Sequence, residues 1–218
     1  MLSYREATLD DAKALQSFGK DQFRSTFFVP CGYSEVDLQC YFDSDYSLEK
    51  VTSWIKDENT FVFLAIKDEL SQSSPGIDPI IVGYVSVGGP CTLPHEDCKE
   101  RTGEINKLYV SMEYRGQGVA QKLMKEGLGW FDRLDIAAKF DNDLFLSVWS
   151  GNHRAQRFYS RYLGAKKVGS YLYPVGECMD EEEIWRVKRV CSSSSDVLTD
   201  AEDESDVSGH GLSSQHGK

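Results

Sequence analysis

Glu104-Ile105-Asn106-Lys107-Leu108-Tyr109-Val110, followed a few residues on by Arg115-Gly116-Gln117-Gly118-Val119-Ala120, sets the architecture of this chain. Alternation predicts a strand with Glu104, Asn106, Leu108 and Val110 on one face and Ile105 and Tyr109 on the other. Val119, Leu123, Met124 and Leu128 recur at helical spacing, so a helix opens at the glycine-rich turn. Glycines at 116 and 118 let the backbone curl until successive N–H groups converge on one point. The following helix adds the positive end of its dipole. Main-chain donors so placed suit a phosphate or pyrophosphate.

Three phosphate-binding patterns compete for this stretch. A Walker A loop ends in Gly-Lys-Ser/Thr, and Gln117-Gly118-Val119 has neither the lysine nor the hydroxyl. A dinucleotide fingerprint needs a third glycine near position 121, where Gln121 stands, and falls earlier in a chain. The third pattern is Arg/Gln-x-x-Gly-x-Gly/Ala after a strand that carries an acidic residue. It runs unbroken from Glu104 to Ala120 and resembles the signature of the GNAT N-acetyltransferases. A tight turn whose glycines serve geometry alone is the competing account.

The bulk properties narrow the classes. With 218 residues, 40% of them hydrophobic, the chain can bury a core and still carry a tail. Its net charge of −11 and lack of a basic stripe argue against nucleic acid and suit cationic partners. The six cysteines (31, 40, 91, 98, 178, 191) follow no metal-ligand spacing, although Cys91 and Cys98 flank His95 in a loop. No metal is therefore expected. Met1-Leu2-Ser3-Tyr4-Arg5-Glu6 has no apolar run for a signal peptide, and Phe61–Ile66 and Ile80–Val87 are far short of a membrane span. A protein of the cytoplasm with reduced thiols, or of the nucleus, is the expectation, with no membrane partner.

Leu2–Ala7 alternates like a first strand, and Thr8 caps a helix with Ala12, Leu15 and Phe18 on its apolar face. From Phe23 to Trp54 the pattern is irregular and rich in aromatics and acids; it predicts a second helical region with loops. The aromatics there suit core packing better than substrate contact. Thr60–Ile66 and Ile80–Val87 are β-prone, separated by a surface loop at Ser71–Gly76. The glycine-rich turn leads into a helix reaching about Leu134. Leu144–Trp149 is a continuous apolar run, as in a strand covered on both faces. Asn152–Leu163 then predicts a helix stopped by Gly164, and Lys167–Tyr173 and Glu183–Val190 predict two last strands. From Ser192 onward the chain is acidic, Ser-rich and almost without apolar residues, so disorder is expected over 191–218.

This order of elements, with the Arg115–Ala120 turn and the later Asn152…Ala155…Phe158-Tyr159…Leu163-Gly164-Ala165, resembles the GNAT superfamily over about residues 2–190. Gly83-Tyr84-Val85, Val148-Trp149 and the segment 169–176 look most like bacterial polyamine (spermidine/spermine) acetyltransferases. The resemblance implies an α/β (α+β) fold in one domain over 1–190. Its single mixed, mostly antiparallel sheet, of about seven strands, splays around acetyl-CoA and is flanked by helices. The main chain of Leu108, Tyr109 and Val110 would pair with the pantetheine arm like an added strand. The turn Arg115, Gly116, Gln117, Gly118, Val119 and Ala120, continuing to Gln121, would take the pyrophosphate. Asn152 would bond the pantetheine arm or a nearby water, and it equally suits a helix N-cap.

Acetyl transfer to an amine needs a base, because the acceptor arrives as ammonium. Glu104 matches the position at which several family members carry that base, with Asn106 expected beside it on the same face. A solvated strand-end carboxylate is the competing account of Glu104. The departing CoA thiolate needs a proton donor, and Tyr159 matches the family's general-acid tyrosine; a phenol of ordinary pKa near ~10 is still protonated at neutral pH. A core aromatic is its competing account. His95 and His153 are expected to be exposed rather than catalytic.

The acceptor implied is a small cationic amine such as a polyamine, drawn by Asp37, Asp43, Asp45 and Glu49. Alternatives are protein lysine or N-terminal acetylation, or a non-catalytic acetyl-CoA sensor. A homodimer is compatible with all of these.

Overall fold

The computed structural model describes residues 1–68 and 79–189. The Ser71–Gly76 loop, Cys191 and the Ser-rich tail expected over 191–218 lie outside the described residues.

Among the described residues seven strands form one sheet: β1 (Leu2–Glu6), β2 (Thr60–Lys67), β3 (Ile80–Gly88), β4 (Gly103–Val110), β5 (Asp143–Trp149), β6 (Lys166–Val175) and β7 (Cys178–Lys188). Their spatial order is β1-β2-β3-β4-β5-β7-β6, and every neighbouring pair is antiparallel except β4 and β5. The α/β expectation with about seven mostly antiparallel strands is what the structure shows.

The stretch 23–54 differs from the sequence expectation. Instead of ending before Phe23, helix α1 runs from Ala12 to Cys31, and α2 (Glu35–Asp45) and α3 (Leu48–Lys56) follow. Pro30 lies in the last turn of α1. There its missing N–H forfeits only one bond before Gly32, with φ of 69°, closes the helix. Ser34 caps α2 by accepting from the Asp37 N–H, and the Asp37 carboxylate accepts in turn from the Ser34 N–H.

Helices α1–α3 bury Leu15, Phe23, Leu38, Tyr41, Tyr46 and Val51 against Val62, Leu64 and Tyr84 on one sheet face. The opposite face receives α4 (Val119–Trp130) and α6 (His153–Leu163). Val119, Leu123, Met124 and Trp130 of α4 are buried there with Val85, Val87 and Ile105. α4 stops at Trp130, short of Leu134; a separate short helix α5 (Leu134–Ala137) follows. β5 is covered on both faces, with Leu144, Phe145, Leu146 and Val148 all buried.

Candidate active site

β4 and β5 run parallel and pair only at Gly103–Leu144 and Glu104–Phe145. Beyond that point they diverge, so from Ile105 to Val110 the edge of β4 facing β5 has no strand partner among the described residues. Unpaired main-chain groups facing a cleft accept an extended ligand as an added strand.

The predicted alternation along β4 fails at one residue. Ser86 pairs with Lys107 and Val87 with Ile105, so Asn106 is an extra residue, a β-bulge. Each residue before the bulge therefore changes face relative to those after it. Ile105 joins Leu108 and Val110 against α4, whereas Tyr109 packs with the α1–α3 cluster. Glu104 thus shares the Tyr109 face and not that of Leu108 and Val110. Asn106, predicted on the Glu104 face, is itself exposed at the bulge.

Two cavities open along the split. One, of about 320 Å³, is lined by Leu108, Tyr109, Val110, Arg115, Gly116, Gly118, Val119, Ala120, Gln121 and Asn152, together with Arg154 and Phe158. Gly116 and Gly118 have φ of 75° and 77°, and a Cβ on either would meet nothing within 4 Å. Their turn is open toward the cavity and ends at the N-terminus of α4. Gln117, alone of the predicted cofactor residues, does not line the cavity; its side chain is exposed and donates to the Glu113 carbonyl at 2.7 Å. Arg115 donates to the Val110 carbonyl at 3.1 Å, which fixes the turn against the end of β4. Burial, helped by the nearby Arg154 charge, lowers its pKa. An anion entering this cavity would meet both cations.

The second cavity, of about 480 Å³, lies on the α1–α3 face and contains Glu104, Lys107, Asp45, Ser147, Asp180 and Glu182 among many aromatics. The two cavities share Leu108, Tyr109, Asn152, Ala155 and Tyr159. An open β4 edge, a glycine turn at a helix N-terminus and a passage to a second chamber fit acetyl-CoA. When bound, that molecule supplies an acyl group activated as a thioester.

Glu104 is 7% exposed, so it is not a solvated carboxylate. Its Oε2 accepts from the Thr92 N–H at 2.8 Å and the Thr92 hydroxyl at 3.1 Å. The Tyr159 ring is buried in the core, yet the residue lines both cavities, so the core and functional accounts hold together. Burial, with the Glu182 charge adding to it, pushes the Tyr159 phenol well above its ordinary pKa. Its hydroxyl keeps its proton at neutral pH. Asn152 Oδ1 accepts from the Ala155 N–H at 3.2 Å, the helix cap expected of it, and the residue still lines both cavities.

Of the four acids expected at the acceptor site, Asp45 alone lines the second cavity. Asp43 accepts from Gln39, and Asp37 ties α2 to the β6–β7 turn by accepting from the Glu177 N–H at 2.9 Å. The acids that replace them, Asp180 and Glu182, stand on β7. Sequence reading missed them because Asp180-Glu181-Glu182-Glu183 has the composition of a solvated run. Arg154 was missed too; its nearness to the glycine turn depends on how α6 packs beside α4. His153 is exposed, as expected; His95 is half-buried over the Phe145 ring. Among the described residues no three His, Cys, Asp or Glu side chains converge as metal ligands.

Residues 25–165 match the sequence model of the acetyltransferase (GNAT) family. An uncharacterized N-acetyltransferase of Archaeoglobus fulgidus is 31% identical over 105 residues, which cover 47% of this chain and 65% of that relative. The match thus spans just under two thirds of the relative's own length. Among solved structures, the PaiA N-acetyltransferase of Thermoplasma acidophilum in complex with coenzyme A superposes with a TM-score of 0.59 at 16% identity. That match covers 87% of this chain and 99% of the other. Arabidopsis thaliana NAA60 with a bisubstrate analogue gives 0.61 at 16% identity, covering 87% and 100%. The ribosomal-protein-alanine N-acetyltransferase of Brucella melitensis gives 0.58 at 19%, covering 86% and 99%. At these identities the structural likeness is one of fold. The match over residues 25–165 places this chain in the acetyltransferase (GNAT) family.

Proposed function

We propose that this protein transfers an acetyl group from acetyl-CoA directly to the primary amine of a small cationic acceptor, such as a polyamine. The observation that carries the reading is the junction of the two cavities at Tyr109, Asn152 and Tyr159. The first chamber would hold acetyl-CoA, with the Leu108–Val110 main chain along the pantetheine arm and the Arg115–Gln121 turn at the pyrophosphate. Arg154 would add charge there, and Asn152 would sit against the pantetheine arm. The second chamber would hold the amine.

Tyr159 would donate its phenolic proton to the departing sulfur. Removing a proton from the acceptor's ammonium falls to a carboxylate of the second chamber, where family resemblance points to Glu104. Asp45, Asp180, Glu104 and Glu182 outnumber Lys50 and Lys107 among that chamber's lining residues, and aromatic faces add further affinity for cations.

Protein lysine or N-terminal acetylation needs an open groove. Here Tyr33 hydrogen-bonds Asp180, Asp37 holds the Glu177 N–H, and the Tyr173 hydroxyl donates to Asp45 at 3.4 Å. These contacts tie the β6–β7 hairpin to α2 and the α1–α2 connection along the chamber, and that narrowing favours a small acceptor. Assay of CoA release with alkyl diamines, polyamines, arylalkylamines and lysine peptides tests this. Turnover with diamines or polyamines and none with peptides is expected; peptide turnover alone would reverse the assignment, and acetyl-CoA binding without any turnover would indicate a sensor.

A further inference from the structure

Resting on that transfer reaction, we propose that Glu182 on β7 is the carboxylate that takes the proton from the acceptor's ammonium group. Glu104 then anchors the loop after β3 through Thr92.

The two carboxylates occupy different places along the split. Glu104 sits where β4 and β5 still pair, opposite Phe145, and one of its oxygens already accepts two hydrogen bonds from Thr92. Glu182 pairs with Trp149, four residues farther along β5 and about 13 Å away at ordinary strand rise. There the strands have parted. Ser147, whose hydroxyl accepts from the Tyr171 hydroxyl at 3.4 Å, lines the same chamber and lowers the Glu182 pKa. The Glu182 charge acts on the Tyr159 phenol, whereas that of Glu104 acts on Cys91 and Cys98; both act on Lys107 and Tyr171. Tyr159 and Glu182 both line the second chamber.

The groups around Glu182 come from every side of the chamber. From β4 come Lys107 and Tyr109, from α6 Tyr159, and from α1 Cys31. β6 contributes Tyr171 and Tyr173, and β7 itself contributes Asp180. Burial raises the Glu182 carboxyl to about 7; the Asp180 charge adds to the rise, and the Ser147 hydroxyl and Lys107 oppose it. A base of that strength is half loaded near neutrality and can both accept and release a proton.

The steps balance as follows. The ammonium gives one proton to Glu182 and keeps its lone pair. That pair forms the N–C bond as the C–S bond breaks, and sulfur takes the Tyr159 proton. The second N–H proton, released as nitrogen becomes an amide, restores Tyr159 through solvent, and Glu182 returns its proton to bulk water. One proton is released per turnover.

The test is the pH dependence of kcat/KM for a short alkyl diamine in the wild type, Glu182→Gln, Ser147→Ala and Glu104→Gln, with acetyl-CoA affinity measured for each. We expect a wild-type acidic limb with a midpoint near 7. Glu182→Gln should lose that limb and about 100-fold in kcat/KM at neutral pH while binding acetyl-CoA normally. Ser147→Ala should move the limb upward, because the Ser147 hydroxyl favours the charged carboxylate. A Glu182→Gln enzyme that keeps the limb and a rate within about threefold of wild type overturns the assignment. So does loss of the limb in Glu104→Gln alone. A wild type that binds acetyl-CoA but acetylates no amine overturns the transfer reaction itself.

Discussion

Tyr159 joins two demands that usually compete. Its ring completes the core between α6 and the sheet, and the residue borders both chambers. Tyr159→Phe keeps the ring and removes the proton. Turnover should fall about 100-fold with acetyl-CoA affinity unchanged, read by steady-state kinetics and calorimetry; full activity would remove the role. Gly118 is constrained by backbone rather than space, since its φ of 77° is left-handed and a Cβ would touch nothing. Gly118→Ala should cost about 1–2 kcal/mol in thermal unfolding and weaken acetyl-CoA binding, because relief of strain turns the N–H groups away. Tyr159 became a candidate through family resemblance, which a local Phe-Tyr pair on a helix can carry. Glu182 was not legible in the sequence: it is half-buried among groups of β4, α6 and α1 that are distant in the chain, and nothing in four consecutive acids marks the one that lines the chamber.

The element that most changes the local reading is the bulge in β4. Periodicity assigned Glu104 to the face of Leu108 and Val110, and one extra residue at Asn106 reversed that. The rest of α4 followed its pattern, and Leu123, fully buried, should cost about 2–5 kcal/mol as Leu123→Ala in denaturant unfolding. The α2–hairpin link has its own pH signature. Hydrogen bonds from the Ser34 hydroxyl, the Glu177 N–H and the Ser34 N–H hold Asp37 down to about 2. A depressed carboxyl stabilises fully above its unfolded pKa and loses that contribution as pH falls through the folded value. Asp37→Ala should therefore lower Tm at neutral pH and speed exchange of the Glu177 amide, and the Tm gap should close as pH approaches about 2. A gap that persists in acid would mean that the link is not electrostatic. A Cβ on Gly176 would strike Asp37, so the turn and the helix are fitted to each other. That fit was illegible in sequence, since residues 37 and 176 are far apart in the chain.

At the scale of the molecule, the sheet is continuous at β4–β5 for two residue pairs and then open, and both chambers exist because of that split. The order of strands and helices carried this architecture in the sequence; the packing of α1, α2 and the β6–β7 hairpin around the chamber did not show there. A ligand that bridges the open edge should stabilise the whole sheet. Acetyl-CoA at 100 times its Kd should raise stability by about 2.7 kcal/mol in thermal melts, and no shift would count against the first chamber as its site. The most direct test of the central claim is simultaneous measurement of free CoA thiol and acetylated product with acetyl-CoA and a short diamine. The account predicts equal amounts of both, rising together with enzyme concentration. Thiol release that proceeds without acetylated amine, or not at all while acetyl-CoA binds, would contradict it.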